Sequence, residues 1–162
     1  MSDVFAGFPN FRIAQSNAKC TGASAERCPY QLYRTSSDIT YEWKSVMSNL
    51  RSALRFLRPS AGAGLAPLSR PALWGYPDML VVGFLASAAE DRSHFGAWAI
   101  LSSPLTLSFD LTNATTLERV WPIIANRHIL QVNAAWDGEP GRVVRSDPEH
   151  LVSAKSLERN NS

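Results

Sequence analysis

Residues 79–109, MLVVGFLASAAEDRSHFGAWAILSSPLTLSF, decide the fold class. Met79-Leu-Val-Val-Gly83 is a short apolar run with β-branched members, bounded by Pro77 and Gly83, and it predicts a fully buried strand. Glu90 to Ser102 then predicts a helix, nearly apolar after His94 and therefore buried on most sides. Pro104 interrupts, and Leu105-Thr-Leu-Ser-Phe109 predicts a second buried strand. Buried strands alternating with helices mark parallel α/β units.

Working upstream, Ile39, Trp43, Val46, Met47, Leu50, Leu54 and Leu57 fall at helical spacing and form one apolar stripe. Ser36, Ser37 and Asp38 are its N-cap candidates, and Arg51, Arg55 and Arg58 suit the negative end of the helix dipole. Pro59 and the Gly62/Gly64 pair stop it, opening a Pro/Gly/Ala/Ser loop over residues 58–72. Downstream, Leu117 to Ala125 carries helical spacing, with Pro122 limiting or bending it, and Ile129-Leu-Gln-Val-Asn133 is strand-like. Residues 137–162 are polar, without a period, and predict a frayed end. The first 33 residues lack sustained periodicity and leave room for one short strand. Three or four parallel strands form an undersized sheet with open edges, so the pattern predicts part of a larger fold.

Composition bounds the rest. At 162 residues with 45% hydrophobic content and five Trp, the chain can build one core but not a whole (β/α)₈ barrel, which takes about 250 residues. No apolar run approaches the roughly 20 residues that span a bilayer, so no membrane is called for. The net charge of +2 comes from scattered residues and leaves no nucleic-acid footprint. The N-terminus lacks the basic opening and apolar core of a secretory signal. Cys20 and Cys28 allow either one small-loop disulfide or two thiols, and two cysteines alone make an incomplete metal site. Asn113-Ala-Thr and Asn160-Asn-Ser fit the glycosylation pattern.

Three carboxylates are candidates for chemistry on position alone. Asp38 lies where a loop meets a helix, Asp78 immediately before the first predicted strand, and Asp110 directly after the second. Ligands of parallel sheets bind at the carboxyl ends of strands, which favours Asp110. Each also has a plain structural reading: Asp38 as an N-cap, Asp78 as a turn residue after Pro77, Asp110 as a cap. His94 reads as a packed core histidine, while His128 and His150 have no partner at ligand spacing. No phosphate-binding loop, dinucleotide glycine pattern, nucleophile elbow or zinc pattern occurs, so no cofactor or metal is expected.

Four segments in order carry a resemblance. Tyr33-Arg-Thr-Ser-Ser-Asp-Ile-Thr-Tyr-Glu-Trp pairs an aromatic residue and Arg ahead of an aspartate and a Trp-bearing helix. Trp74-Gly-Tyr-Pro-Asp-Met-Leu, Glu90 through Leu111, and Asn126-Arg through Gln131-Val-Asn to Gly138 follow. Together they resemble the retaining alpha-galactosidase family, the melibiases with the related alpha-N-acetylgalactosaminidases, over roughly residues 33–141. The resemblance implies an α/β fold, the last three β/α units of a TIM barrel, at residues 33–136, after an irregular segment at 1–32 and before an exit segment at 137–162 that starts a C-terminal β region.

It also implies an alpha-galactoside as substrate and a double displacement at the anomeric carbon, in which two carboxylates lie about 5–5.5 Å apart. Asp38 matches the acid/base, which must keep its proton until the leaving oxygen departs and so asks for burial and a neighbouring negative charge. Arg34 matches a residue touching both sugar and catalytic site, Asp78 a carboxylate bonding galactose hydroxyls, and Met79 the adjoining pocket wall. Asp110 matches a structural position. Nothing in the chain matches the family's nucleophile segment, and Gly75 and Tyr76 stand where the family has Asn-Asp. The expectation is therefore a fragment inactive alone, with a non-catalytic carbohydrate-binding or interaction module as the alternative. The family's usual places are extracellular, lysosomal or vacuolar.

Overall fold

The computed structural model describes residues 13–14, 31–57, 67, 69–147 and 150–157. Three short parallel strands, β1 (Ile13–Ala14), β2 (Leu32–Arg34) and β3 (Trp74–Tyr76), lie side by side in chain order. Register pairs Ile13 with Leu32, and Leu32 with Trp74. A parallel bridge from Leu80 to Leu107 continues the pattern beyond β3, with Leu80 N–H donating to the Thr106 carbonyl at 2.7 Å. Helices α1 (Trp43–Leu54), α2 (Ala88–Ile100), α3 (Ala114–Ile124) and α4 (Arg127–Ala134) pack together, with α2 touching each of the other three, and an antiparallel hairpin of β4 (Arg142–Ser146) and β5 (Leu151–Ala154) follows. The α/β class predicted from residues 79–109 is the observed one.

The core sits between α1, α2, α3 and the segment after β3. Val46, Leu50 and Ala53 of α1 meet Leu80, Val81 and Val82, which meet Phe95 and Trp98 of α2. Helix α2 begins two residues before the predicted start because Ser87 caps it: the Ser87 hydroxyl accepts from Glu90 N–H, and the Glu90 carboxylate accepts from Ala86 N–H. Helix α3 runs through Pro122, which lies in its last turn and ends it shortly after.

Four expectations need correction. The runs 79–83 and 105–109 are not extended strands; only Leu80 and Leu107 pair, and the strand lies earlier, at β3. Their apolar residues reflect burial rather than strand geometry. Helix α1 starts at Trp43 with no side-chain cap, because Ile39 N–H and Thr40 N–H are taken by Asp78 and Ser45, holding residues 39–42 as a loop. Ser36, Ser37 and Asp38 therefore cap nothing there. Residues 129–133 form helix, not strand: Asn126 accepts from His128 N–H and Ile129 N–H and starts α4, and a short apolar run does not separate the two periods. The tail is not frayed over 142–154 but a hairpin, tied down by Gly141 N–H to Ile100 O and by the Lys155 ammonium, which donates to Ser102 Oγ and to the Val132 and Asn133 carbonyls. Those carbonyls belong to the last turn of α4, which lacks intrahelical partners for them. Cys20, Cys28, Asn160 and the Gly62/Gly64 pair lie outside the described residues. Among those described, no helix is long and apolar enough to cross a membrane.

Two positions test this packing. Gly83 has φ +95°, and an added Cβ would lie 2.9 Å from Val120 Cγ1. Gly83→Ala combines left-handed strain with an overpacked contact, so thermal or denaturant unfolding should show a loss of about 2 kcal/mol or more. The second is His94, wholly buried, whose Nε2 accepts from Val81 N–H at 3.0 Å. Burial pulls its pKa from 6.5 down to about 4. The unfolded chain thus binds the extra proton first: the stability that neutral His94 confers is complete above pH 6.5 and is lost as pH falls toward 4. Across that window wild type should lose on the order of 3 kcal/mol relative to His94→Gln, measured as the difference between the two pH profiles of unfolding.

Candidate active site

Parallel neighbours deliver their carboxyl ends to one rim. Strand β2 ends at Arg34, whose register partner is Tyr76 at the end of β3, and Asp78 follows two residues later. From there the Arg34 guanidinium spans two carboxylates, with Nη2 donating to Asp38 Oδ1 at 2.6 Å and Nη1 to Asp78 Oδ2 at 3.4 Å. Asp78 Oδ2 also accepts from Ile39 N–H, and Oδ1 from Met79 N–H, each at 2.9 Å. Arg34, Asp38, Asp78 and Met79 are thus brought together. Asp78 does not precede a strand, as the sequence suggests; it follows one, at the end where ligands of parallel sheets bind.

The two carboxylates differ in environment. The Asp38 side chain is 87% exposed, so the burial expected of it is not present among the described residues. An ion pair this open contributes little stability, at most about 1 kcal/mol. The Asp78 side chain is 6% exposed, and three of its roughly four acceptor positions are filled, leaving room for one more donor. Arg34 keeps one buried donor, Nε, without a hydrogen-bond partner among the described residues.

The backbone around Asp78 is held from behind. Asp78 adopts φ +83°, uncommon for a residue with a Cβ. The indole N–H of buried Trp98 donates to its carbonyl at 2.7 Å, and His94 packs edge-on against that indole at 4.2 Å. Buried Asn49 donates to the Ser37 and Pro77 carbonyls, 3.1 Å each, tying together the loops after β2 and β3. Tyr76 sits beside the cluster; burial first, and the Asp78 charge second, raise its pKa, so its hydroxyl remains a donor at neutral pH. Sequence reasoning missed Asn49, Tyr76 and Trp98 as parts of this assembly. The available signals were a polar residue inside an apolar stripe and a Trp one turn after a buried His.

The remaining candidates lie elsewhere. Asp110 closes its own turn, accepting from Thr112 N–H and Thr112 Oγ1, and these bonds lower its pKa. His150 pairs with Asp147 in the hairpin turn, and His128 is exposed at the start of α4. Among the described residues no group of three or more His, Cys, Asp or Glu side chains could hold a metal ion.

The family described as alpha galactosidase A matches residues 6–135, which reaches well upstream of residue 33, where the likeness legible in the sequence begins. An alpha-N-acetylgalactosaminidase of Rattus norvegicus is 32% identical over 121 residues, 74% of this chain, and an alpha-galactosidase of Oryza sativa subsp. japonica is 33% identical over 129 residues, 79% of it. The chain spans 28% of the length of each of these relatives. The crystal structure of alpha-galactosidase I from Mortierella vinacea superimposes with a TM-score of 0.59 at 22% identity, covering 81% of this chain and 36% of that one, which is a likeness of fold. With most of its length matched by one family, and relatives of that family at about a third identity, the chain belongs to the alpha-galactosidase (melibiase) family.

Proposed function

We propose that this chain is the part of a retaining alpha-galactosidase-type glycoside hydrolase that carries the acid/base carboxylate, acting on terminal alpha-galactosyl residues. The observation that carries this reading is the Arg34 fork between Asp38 and Asp78, at the carboxyl ends of adjacent parallel strands. Residues 33–136 then supply the last three units of a TIM barrel, residues 1–32 lead into them, and residues 137–162 lead out. In this reading Asp38 gives its proton to the glycosidic oxygen as the bond to the anomeric carbon breaks. It then takes a proton from the water that releases galactose from the covalent intermediate.

Arg34 orients Asp38 and turns its Nη groups to a sugar oxygen; Asp78 uses its remaining acceptor position for a galactose hydroxyl, and half-exposed Met79 lines the pocket beside it. The carboxylate that attacks the anomeric carbon has no match in these 162 residues, so turnover needs a nucleophile from outside them. The family's secretory-route compartments, extracellular, lysosomal or vacuolar, are the places proposed for it. A second reading is a carbohydrate-binding module without turnover. The exposure of Asp38 favours it, since a proton donor in a working site is ordinarily shielded.

Incubated with an aryl alpha-galactoside, the purified chain should release no aryl alcohol above the blank, and Asp38→Asn should behave alike. Release that Asp38→Asn abolishes would show a complete carboxylate pair within the chain and overturn the missing-nucleophile argument. In calorimetric titration with methyl alpha-galactoside, Asp78→Asn should weaken binding by about tenfold or more, the usual cost of losing a hydrogen bond to a charged group. Unchanged affinity in that variant would remove Asp78 from the pocket.

A further inference from the structure

At the same rim, beyond Asp38, two aromatic rings stand in the open. Tyr41, three residues after Asp38 on the β2–α1 loop, is 59% exposed, and Phe84, on the loop before α2, is 38% exposed. They stack with centroids 4.4 Å apart and planes 17° from parallel. Large apolar side chains left exposed as a pair are informative in a way that a lone one is not. Here the exposure is enforced by the backbone on both sides.

The Phe84 loop is pinned at each neighbour. Gly83 N–H donates to Asp91 Oδ1 at 2.8 Å, and the Leu85 carbonyl accepts from Arg119, which also pairs with Asp91 Oδ2 at 2.9 Å. Asp91 is wholly buried, so its bonds hold the backbone on both sides of Phe84 from inside, while Leu85 itself turns into the core. On the facing loop, Ile39 N–H is bound to Asp78 and Thr40 N–H to Ser45. The two rings are therefore carried on hydrogen-bonded loops that also carry Asp38 and follow Asp78.

We infer that Tyr41 and Phe84 form a shelf for the leaving group of an alpha-galactoside, selecting aglycones that present a ring, either a sugar or an aryl group. The inference rests on the acid/base reading of Asp38: the group that protonates the glycosidic oxygen faces the leaving group, so what lies just beyond it on the same loop meets that leaving group. A pyranose or aryl ring offers a flat apolar face that suits such a shelf, and the Tyr41 hydroxyl supplies a polar edge for sugar hydroxyls. Because the shelf touches only the leaving group, galactose itself gains nothing from it.

Calorimetric titration of the full chain with methyl alpha-galactoside, p-nitrophenyl alpha-galactoside and melibiose, in which galactose is alpha-linked to glucose, tests this. The two ring-bearing ligands should bind about five- to tenfold more tightly than the methyl glycoside, the gain expected of one aromatic contact. Tyr41→Ser with Phe84→Ser should erase that advantage without weakening the methyl glycoside, and Tyr41→Phe should retain most of it for the aryl ligand. A ring advantage that survives the double substitution, or an equal loss for all three ligands, overturns the shelf. Binding of methyl alpha-galactoside with no ring advantage in wild type also overturns the shelf and leaves the sugar pocket standing. Failure of all three ligands to bind wild type overturns the pocket and the shelf together.

Discussion

The backbone of Asp78, held at φ +83°, is the constraint on which the site depends. A non-glycine residue in that region costs about 1–3 kcal/mol and persists only where its surroundings over-determine it. Here they do so from three directions. Trp98 takes its carbonyl, Ile39 N–H takes one carboxylate oxygen, and Asn49 fixes the preceding Pro77 carbonyl. The left-handed turn is what ends β3, sends the carboxylate back toward Arg34, and lets Leu80 through Val82 drop into the core under α2. With an ordinary extended conformation at Asp78, the chain would continue along the strand and the carboxylate would not face β2. Strain at this residue and the assembly of the cluster are thus one structural event.

How far the sequence foretells this differs element by element. The apolar stripe of α1 is legible because seven residues keep one period, yet its start is not, since Ile39 N–H and Thr40 N–H are claimed by Asp78 and Ser45 rather than by the helix. Residues 79–83 read as strand because buried and extended look alike in a short apolar run, and only the Asp78 backbone distinguishes them. Residues 129–133 fail for the converse reason: Asn126, a strong cap, outweighs the β-branched content that follows it. For the site, residue position alone leaves three candidate carboxylates and favours Asp110. The resemblance picks out Arg34, Asp38, Asp78 and Met79, and the structure brings those four together. Asn49, Trp98, Tyr41 and Phe84 stay invisible because each acts through a partner 12 to 43 positions away on another element or loop, and a single sequence holds no trace of such pairings.

Helix α2 ties the core to the rim. Its Asp91 accepts directly from Gly83 N–H and reaches the Leu85 carbonyl through Arg119, its His94 accepts from Val81, and its Trp98 holds Asp78, so three successive turns of one helix grip three successive points of one loop. Deleting half-exposed Arg119 would leave the wholly buried Asp91 carboxylate with Gly83 N–H but without its counter-charge. The apolar face of α2 alone would hold the helix in place. What the polar groups add is position for the loop, which is a need of the site rather than of the core. His94 makes the arrangement sensitive to acid, because protonating it breaks the acceptor role that anchors Val81.

The Arg34 contacts are unequal, 2.6 Å to exposed Asp38 and 3.4 Å to buried Asp78, and the inequality bears on mechanism. The short contact to an exposed partner adds little to stability, so folding energetics do not account for it. In the acid/base reading proposed above, Asp38 delivers a proton only when it is neutral, and a neutral Asp38 no longer forms an ion pair. Arg34 then has one carboxylate left, Asp78, whose charge is buried and whose remaining acceptor position is open. Moving the guanidinium by a fraction of an ångström toward Asp78 would strengthen the inner contact as the outer one lapses, without any backbone change. A sugar hydroxyl arriving between the two would be met by Nη groups already in place. The fork thus shares one positive charge between an inner carboxylate that is buried and an outer one that is open to solvent, and under the proposed reading only the outer one would release it.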